Sequence, residues 1–153
     1  MLESLIENGY MIVNFESIED LHSIQEIVKT VFPCLPTDFH KESISDDQRL
    51  LLTKQAKDQI VKHGLIKKIF LKNSDFLIKI FGPDLDIQSD IHLRVSRPNN
   101  ENDFVDWHRD TFYGHSYWEF NCWFPVFPLE KDAGLMIVDG SHLEVARNIQ
   151  VSQ

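Results

Sequence analysis

The chain has 153 residues, enough for one domain with a real core but not comfortably for two. Its 42% hydrophobic and 25% charged residues are those of a globular protein, and no apolar run approaches the ~20 residues that cross a bilayer. A formal charge of -9 argues against a nucleic-acid backbone or an anionic membrane surface as partner, since both require a basic face.

The opening MLESLIENGYMIVNF carries early glutamates where a secretory leader carries lysines, and no small-residue cleavage site follows. The expectation is a cytoplasmic protein. From Ser17 to about Phe32, apolar residues fall at Ile18, Leu21, Ile24, Ile27, Val28 and Val31, which is helical spacing behind a serine cap. FPCLP (32–36) ends that helix. A second helix is expected from about Asp46 to Lys62, broken by Gly64. A third runs from about Leu65 to Leu71, and a short one from Asn73 to Phe81. The one basic run, KQAKDQIVKHGLIKKIFLK (54–72), reads as a solvated helix face. Cys34 and Cys122 are far apart with no CxxC spacing, which suits two reduced thiols.

Beyond about residue 86 the period changes to two. In DIHLRVSRP, Ile91, Leu93 and Val95 point one way, while His92, Arg94 and Ser96 point the other. WEFNCWFPVF (118–127) sets Trp118, Phe120, Cys122, Phe124 and Val126 against Glu119, Asn121 and Trp123. GLMIVDG (134–140) is a third, shorter strand pattern, and PNNEND (98–103) and PLEKDAG (128–134) read as turns. The expectation is a single α+β domain, with helices over 1–85 supporting an antiparallel sheet over 86–153. The Glu-Asn-Trp face either lines a ligand-holding barrel or faces solvent; the strand alone does not choose.

His108 and Asp110 stand two apart, so on a strand both leave on the same side, where an imidazole and a carboxylate can meet one ion. Imidazole plus carboxylate with open positions is the donor set of a mononuclear non-haem Fe(II) centre. The motif alone is short and recurs by chance; the chain also holds His40-Lys-Glu42, in a polar connection with no aromatic strand behind it.

The context is more specific. After HRD come Tyr113, Gly114 and His115, then the two-faced strand with Asn121 and Trp123, then GLMIVDGSH (134–142). In that order and spacing the chain resembles the phytanoyl-CoA dioxygenase-like group of Fe(II)/2-oxoglutarate oxygenases. GYMIVNFESIEDLHSIQEIV is similar to that family's opening strand, cap and helix. The resemblance implies a partial double-stranded β-helix (a cupin-like jelly roll) and hydroxylation of a small molecule. It implies Fe(II) held by His108 and Asp110, with 2-oxoglutarate as co-substrate. Trp123 matches a ring walling the co-substrate pocket, and Asn121 a polar neighbour. Gly140-Ser141-His142 matches a loop at the barrel rim, with Asp139 where the family usually has proline. Arg94 and His92 are further candidates for touching a ligand. His115 either meets substrate or braces the turn. The aromatic cluster Phe112, Tyr113, Tyr117 and Trp118 either excludes water from the site or packs the core.

The family's distal histidine and the arginine that grips 2-oxoglutarate lie beyond the Gly-Ser-His loop, and neither is matched before Gln153. The resemblance therefore implies the front part of an oxygenase, with open sheet edges able to pair with another chain. The alternatives are that His142 stands in as a third ligand, or that the domain is a non-catalytic binding remnant.

Overall fold

The computed structural model describes residues 2–109, 119–130 and 133–143, with the backbone alone at 36 and 37. The described residues form five α-helices: α1 (Leu2–Asn8), α2 (Ile18–Val31), α3 (Asp46–Lys62), α4 (Leu65–Lys72) and α5 (Ser74–Phe81). Short 3₁₀ turns lie at Pro36–Lys41, Glu101–Asp103 and Ser141–Leu143. The chain divides into two compact units, residues 14–104 and residues 1–13 with 105–153.

The 14–104 unit is a helical assembly in which α2 packs on both α3 and α4. Its core is Ile24 and Val28 from α2, Phe32 and Phe39 beyond it, Ala56 and Ile60 from α3, Leu65 and Ile69 from α4, and Leu77 from α5. Helices α2, α3 and α4 each contribute residues four apart, because that spacing returns a side chain to the same face. Each large member of the set stabilises the fold by about 1.5–3 kcal/mol. Phe32 and Phe39 meet edge to face with centroids 5.0 Å apart. Ser45 caps α3, its hydroxyl accepting from the Gln48 amide at 3.2 Å, and Asp46 and Asp47 place negative charge on the first turn. Gly64, at φ +62, supplies the left-handed residue that separates α3 from α4. The approach to α2 is fixed by Phe15, whose ring sits 6.2 Å from both Phe70 and Phe76, and by the buried amide of Asn73.

The expected α+β jelly roll is corrected. The described residues contain helices and irregular segments and no β-strand. The reason is visible in DIHLRVSRP. Its side chains alternate as a strand's would: Ile91, Leu93 and Val95 are half-buried, and His92, Arg94 and Ser96 are exposed. Two of its backbone groups, however, are bonded by side chains. The Arg49 guanidinium donates to the Val95 carbonyl at 3.2 Å, and the Arg97 amide donates to Asp103 Oδ2 at 2.8 Å. Period two reports which side chains share a face and is silent on the partner that completes a ladder.

A charged lock holds this segment to α3. Arg97 donates through Nε and Nη2 to the two Asp103 oxygens at 2.8 and 2.9 Å, through Nη1 to the Ile44 carbonyl at 3.2 Å, and through Nη2 to Asp46. Arg49 Nη2 reaches Asp103 Oδ1 at 3.2 Å. The Asp103 side chain is 1% exposed and that of Arg97 is 10% exposed. The Arg97 guanidinium, hydrogen-bonded to Asp103, lowers that carboxyl to a pKa of about 2.

Candidate functional site around His108 and the Gly-Ser-His turn

The second unit contains the HRD segment, Asn121, Trp123 and the Gly-Ser-His turn. Its description begins with α1. Gly9, at φ +85, ends that helix by donating its amide to the Leu5 carbonyl at 3.1 Å. Ser4 Oγ donates to the Tyr10 carbonyl at 3.0 Å and tightens the exit.

The 139–142 turn docks on this helix end. The Gly140 amide donates to the Asn8 carbonyl at 3.0 Å, and His142 Nε2 donates to the Ile6 carbonyl at 2.9 Å. Two orphan carbonyls at a helix C-terminus are thereby satisfied from the far end of the chain, His142 lying 136 positions from Ile6. The Asp139 carboxylate accepts the Tyr10 hydroxyl, and that hydrogen bond raises the phenol above its ordinary pKa. The imidazole of His142 lies over Gly9 so closely that a Cβ there would stand 2.5 Å from Nδ1. The turn itself closes through the Ser141 amide to the Val138 carbonyl at 3.1 Å and the Leu143 amide to the Gly140 carbonyl at 2.9 Å.

The same turn holds the HRD segment. Arg109, half-buried, donates through Nη2 to the Ser141 carbonyl. His108 is exposed, and its Nδ1 lies 2.6 Å from the Asp106 carbonyl oxygen. A carbonyl can only accept, so Nδ1 is the donor in this contact. Asn121 is exposed and Trp123 is 48% exposed. The Trp123 ring and the Leu129 methyl close on Gly134, where a Cβ would stand 3.8 Å from Trp123 Cη2 and 3.1 Å from Leu129 Cδ1.

Of the sequence-derived site residues, His108, Asn121 and Trp123 belong to this unit, and Asp110, His115 and the cluster Phe112, Tyr113, Tyr117 and Trp118 lie outside the described residues. Arg94 and His92 are exposed and belong to the 14–104 unit. His40 is exposed in the 3₁₀ turn Pro36–Lys41. The reading of a metal centre built into a jelly roll is corrected along with the fold. Among the described residues no group of three or more His, Cys, Asp or Glu side chains is gathered as a metal cage. His142 is engaged with the end of α1. Sequence reasoning missed two features, the Asp139–His142 dock and the Arg109–Ser141 tether. The first had a weak signal in Gly9, a glycine just past a short apolar-acidic helix. The second had none.

Among the described residues no helix is long and apolar enough to cross a membrane. Comparison with protein-family models, with curated proteins and with solved structures gave no match.

Proposed function

We propose that the His108 segment is a divalent-metal site of the Fe(II)/2-oxoglutarate oxygenase type, acting on a small molecule. His108 and Asp110 are the chain's ligands, and Trp123 with Asn121 flank the co-substrate. The observation that supports this reading most is the orientation of the His108 ring. Its Nδ1 donates to the Asp106 carbonyl at 2.6 Å, so a metal would be taken at Nε2. Metal-binding histidines are commonly oriented in this way, by giving their other ring N–H to a carbonyl or carboxylate. An imidazole nitrogen is a donor of the kind iron takes; Asp110 lies outside the described residues. When bound with 2-oxoglutarate, iron would supply oxidative decarboxylation of the co-substrate coupled to hydroxylation of a C–H bond. The protein's part is to present Nε2 in one orientation and to place the indole of Trp123 as an apolar wall. A cytoplasmic setting, where ferrous iron and free thiols both persist, goes with the unpaired Cys34 and Cys122.

The test is anaerobic addition of Fe(II) and then 2-oxoglutarate to the full chain. A weak visible charge-transfer band, absent in His108→Ala and Asp110→Ala, is the expected result. Absence of any band in the parent chain would overturn the reading.

A second reading has its own observation. Leu135, Met136, Ile137 and Val138 are consecutive and 46–66% exposed, in the same unit as the 48%-exposed Trp123. Four apolar residues in a row on a surface suit a non-catalytic interaction module. Failure of metal binding together with self-association or partner capture that Met136→Lys abolishes would favour that reading.

A further inference from the structure

We propose that the Asn8–Gly9 peptide is a modification site, where Asn8 converts to aspartate or isoaspartate once the 139–142 turn lets go of α1. Of the six glycines in the chain, two follow an Asx residue: Gly9 after Asn8 and Gly140 after Asp139. The two dipeptides meet, since the Gly140 amide donates to the Asn8 carbonyl at 3.0 Å. An Asn-Gly pair closes readily into a cyclic imide because glycine brings no Cβ to shield its nitrogen. In that step the Gly9 nitrogen attacks Asn8 Cγ, a C–N bond forms and the Cγ–Nδ2 bond breaks. The amide proton leaves with Nδ2 as ammonia. Solvent water then opens the imide at either carbonyl, giving aspartate or the isoaspartate whose backbone is one carbon longer.

The fold opposes the attack. The Gly9 amide donates to the Leu5 carbonyl at 3.1 Å. The Asn8 side chain is turned back along the helix, its Nδ2 donating to Ser4 Oγ at 3.3 Å. The His142 ring lies over Gly9, with Nδ1 2.5 Å from where a Cβ would stand. Helix α1 has seven residues, none of them buried, and a helix that short is marginal by itself. The turn supports it through Gly140 on Asn8, His142 Nε2 on the Ile6 carbonyl at 2.9 Å, and Asp139 on the Tyr10 hydroxyl. Loosening these bonds frees the last turn of α1, and with it both reacting groups. Conversion then keeps the turn released. Isoaspartate displaces the carbonyl that receives Gly140, and either product places a carboxylate at a helix C-terminus, where the macrodipole disfavours it.

The experiment incubates the full chain at mildly alkaline pH and follows Asn8 by peptide mass spectrometry, with fragmentation that separates aspartate from isoaspartate. The same chain unfolded in urea gives the unprotected rate. The folded parent is expected to convert well below that rate. His142→Ala is expected to convert Asn8 about fivefold faster than the parent, the change in an opening equilibrium that one lost hydrogen bond brings. Tyr10→Phe, which loses the bond to Asp139, is expected to act in the same direction. Asn73–Ser74 is the internal control: Asn73 is 7% exposed in the 14–104 unit and should keep the parent rate in both variants. Asn8 converting in the folded parent at the urea rate, or at the parent rate in both variants, would overturn the proposal. Equal acceleration at Asn73 would also overturn it, because general unfolding and not the turn would then govern the site.

Discussion

Asn73 pairs with Glu16 as one strand residue pairs with another. Its Oδ1 accepts the Glu16 amide at 2.9 Å, and its Nδ2 donates to the Glu16 carbonyl at 3.2 Å. The second Nδ2 proton goes to the Ile69 carbonyl at 2.8 Å. Asn73 is 7% exposed, so each of these groups would otherwise be paired poorly or not at all. Asn73→Ala is therefore expected to cost about 2–3 kcal/mol, chiefly from the backbone groups left behind. Asn73→Asp keeps the acceptor but turns a carboxylate oxygen toward two carbonyls, so it should be no better. Urea denaturation followed by far-UV circular dichroism checks both. An Asn73→Ala midpoint equal to that of the parent chain would show that the pairing contributes nothing.

The Arg97–Asp103 lock gives a pH signature. The folded Asp103 carboxyl titrates at about 2, below its ordinary 3.8, because Arg97 bonds the ionised form. A depressed carboxylate contributes stability that is complete above its unfolded pKa and is lost as pH falls through the folded one. The contribution is thus full above about pH 4 and disappears toward about pH 2. Asp103→Asn should flatten that acid limb. It should also lower stability at neutral pH, since Arg97 then keeps only Asp46 as an ionised partner. Melting temperatures of both chains from pH 2 to pH 7 test the sign. An acid limb unchanged in Asp103→Asn would contradict it.

Gly9 is the place where the 139–142 turn and α1 touch most closely. At φ +85 an alanine is strained, and its Cβ would also fall 2.5 Å from His142 Nδ1. Gly9→Ala is expected to release the turn and speed hydrogen exchange at the Gly140 amide, which donates to the Asn8 carbonyl at 3.0 Å. The core in residues 14–104 is built from other residues and should melt as before. Unaltered exchange at Gly140 would show that the close approach is not required.

The helices of residues 14–104 were legible in the sequence because the core they bury repeats at helical spacing. Ile24 and Val28, Ala56 and Ile60, and Leu65 and Ile69 are each four apart, and Gly64 marks the break between α3 and α4. Helix α1 is too short for its pattern to stand out: Leu2, Leu5 and Ile6 have helical spacing, but over seven residues, none of them buried. The strand patterns were half legible. Alternation at 91–96 does sort half-buried from exposed side chains, but a ladder needs a second backbone, and here Arg49 and Asp103 bond the segment. That lock joins Arg97 to Asp46, 51 positions earlier, and nothing in local spacing announces it. At the candidate site the HxD spacing brought His108 into view. The direction of its Nδ1, toward the carbonyl of Asp106, is a property of backbone placement that a sequence cannot display.

In the proposed function His108 would supply a ring nitrogen to a divalent metal. Isothermal titration of the full chain with Mn(II), in parallel with His108→Ala, tests it most directly. The expected result is saturable binding of one ion that the substitution abolishes. Identical titrations for the two chains, whether both bind or neither does, would contradict it.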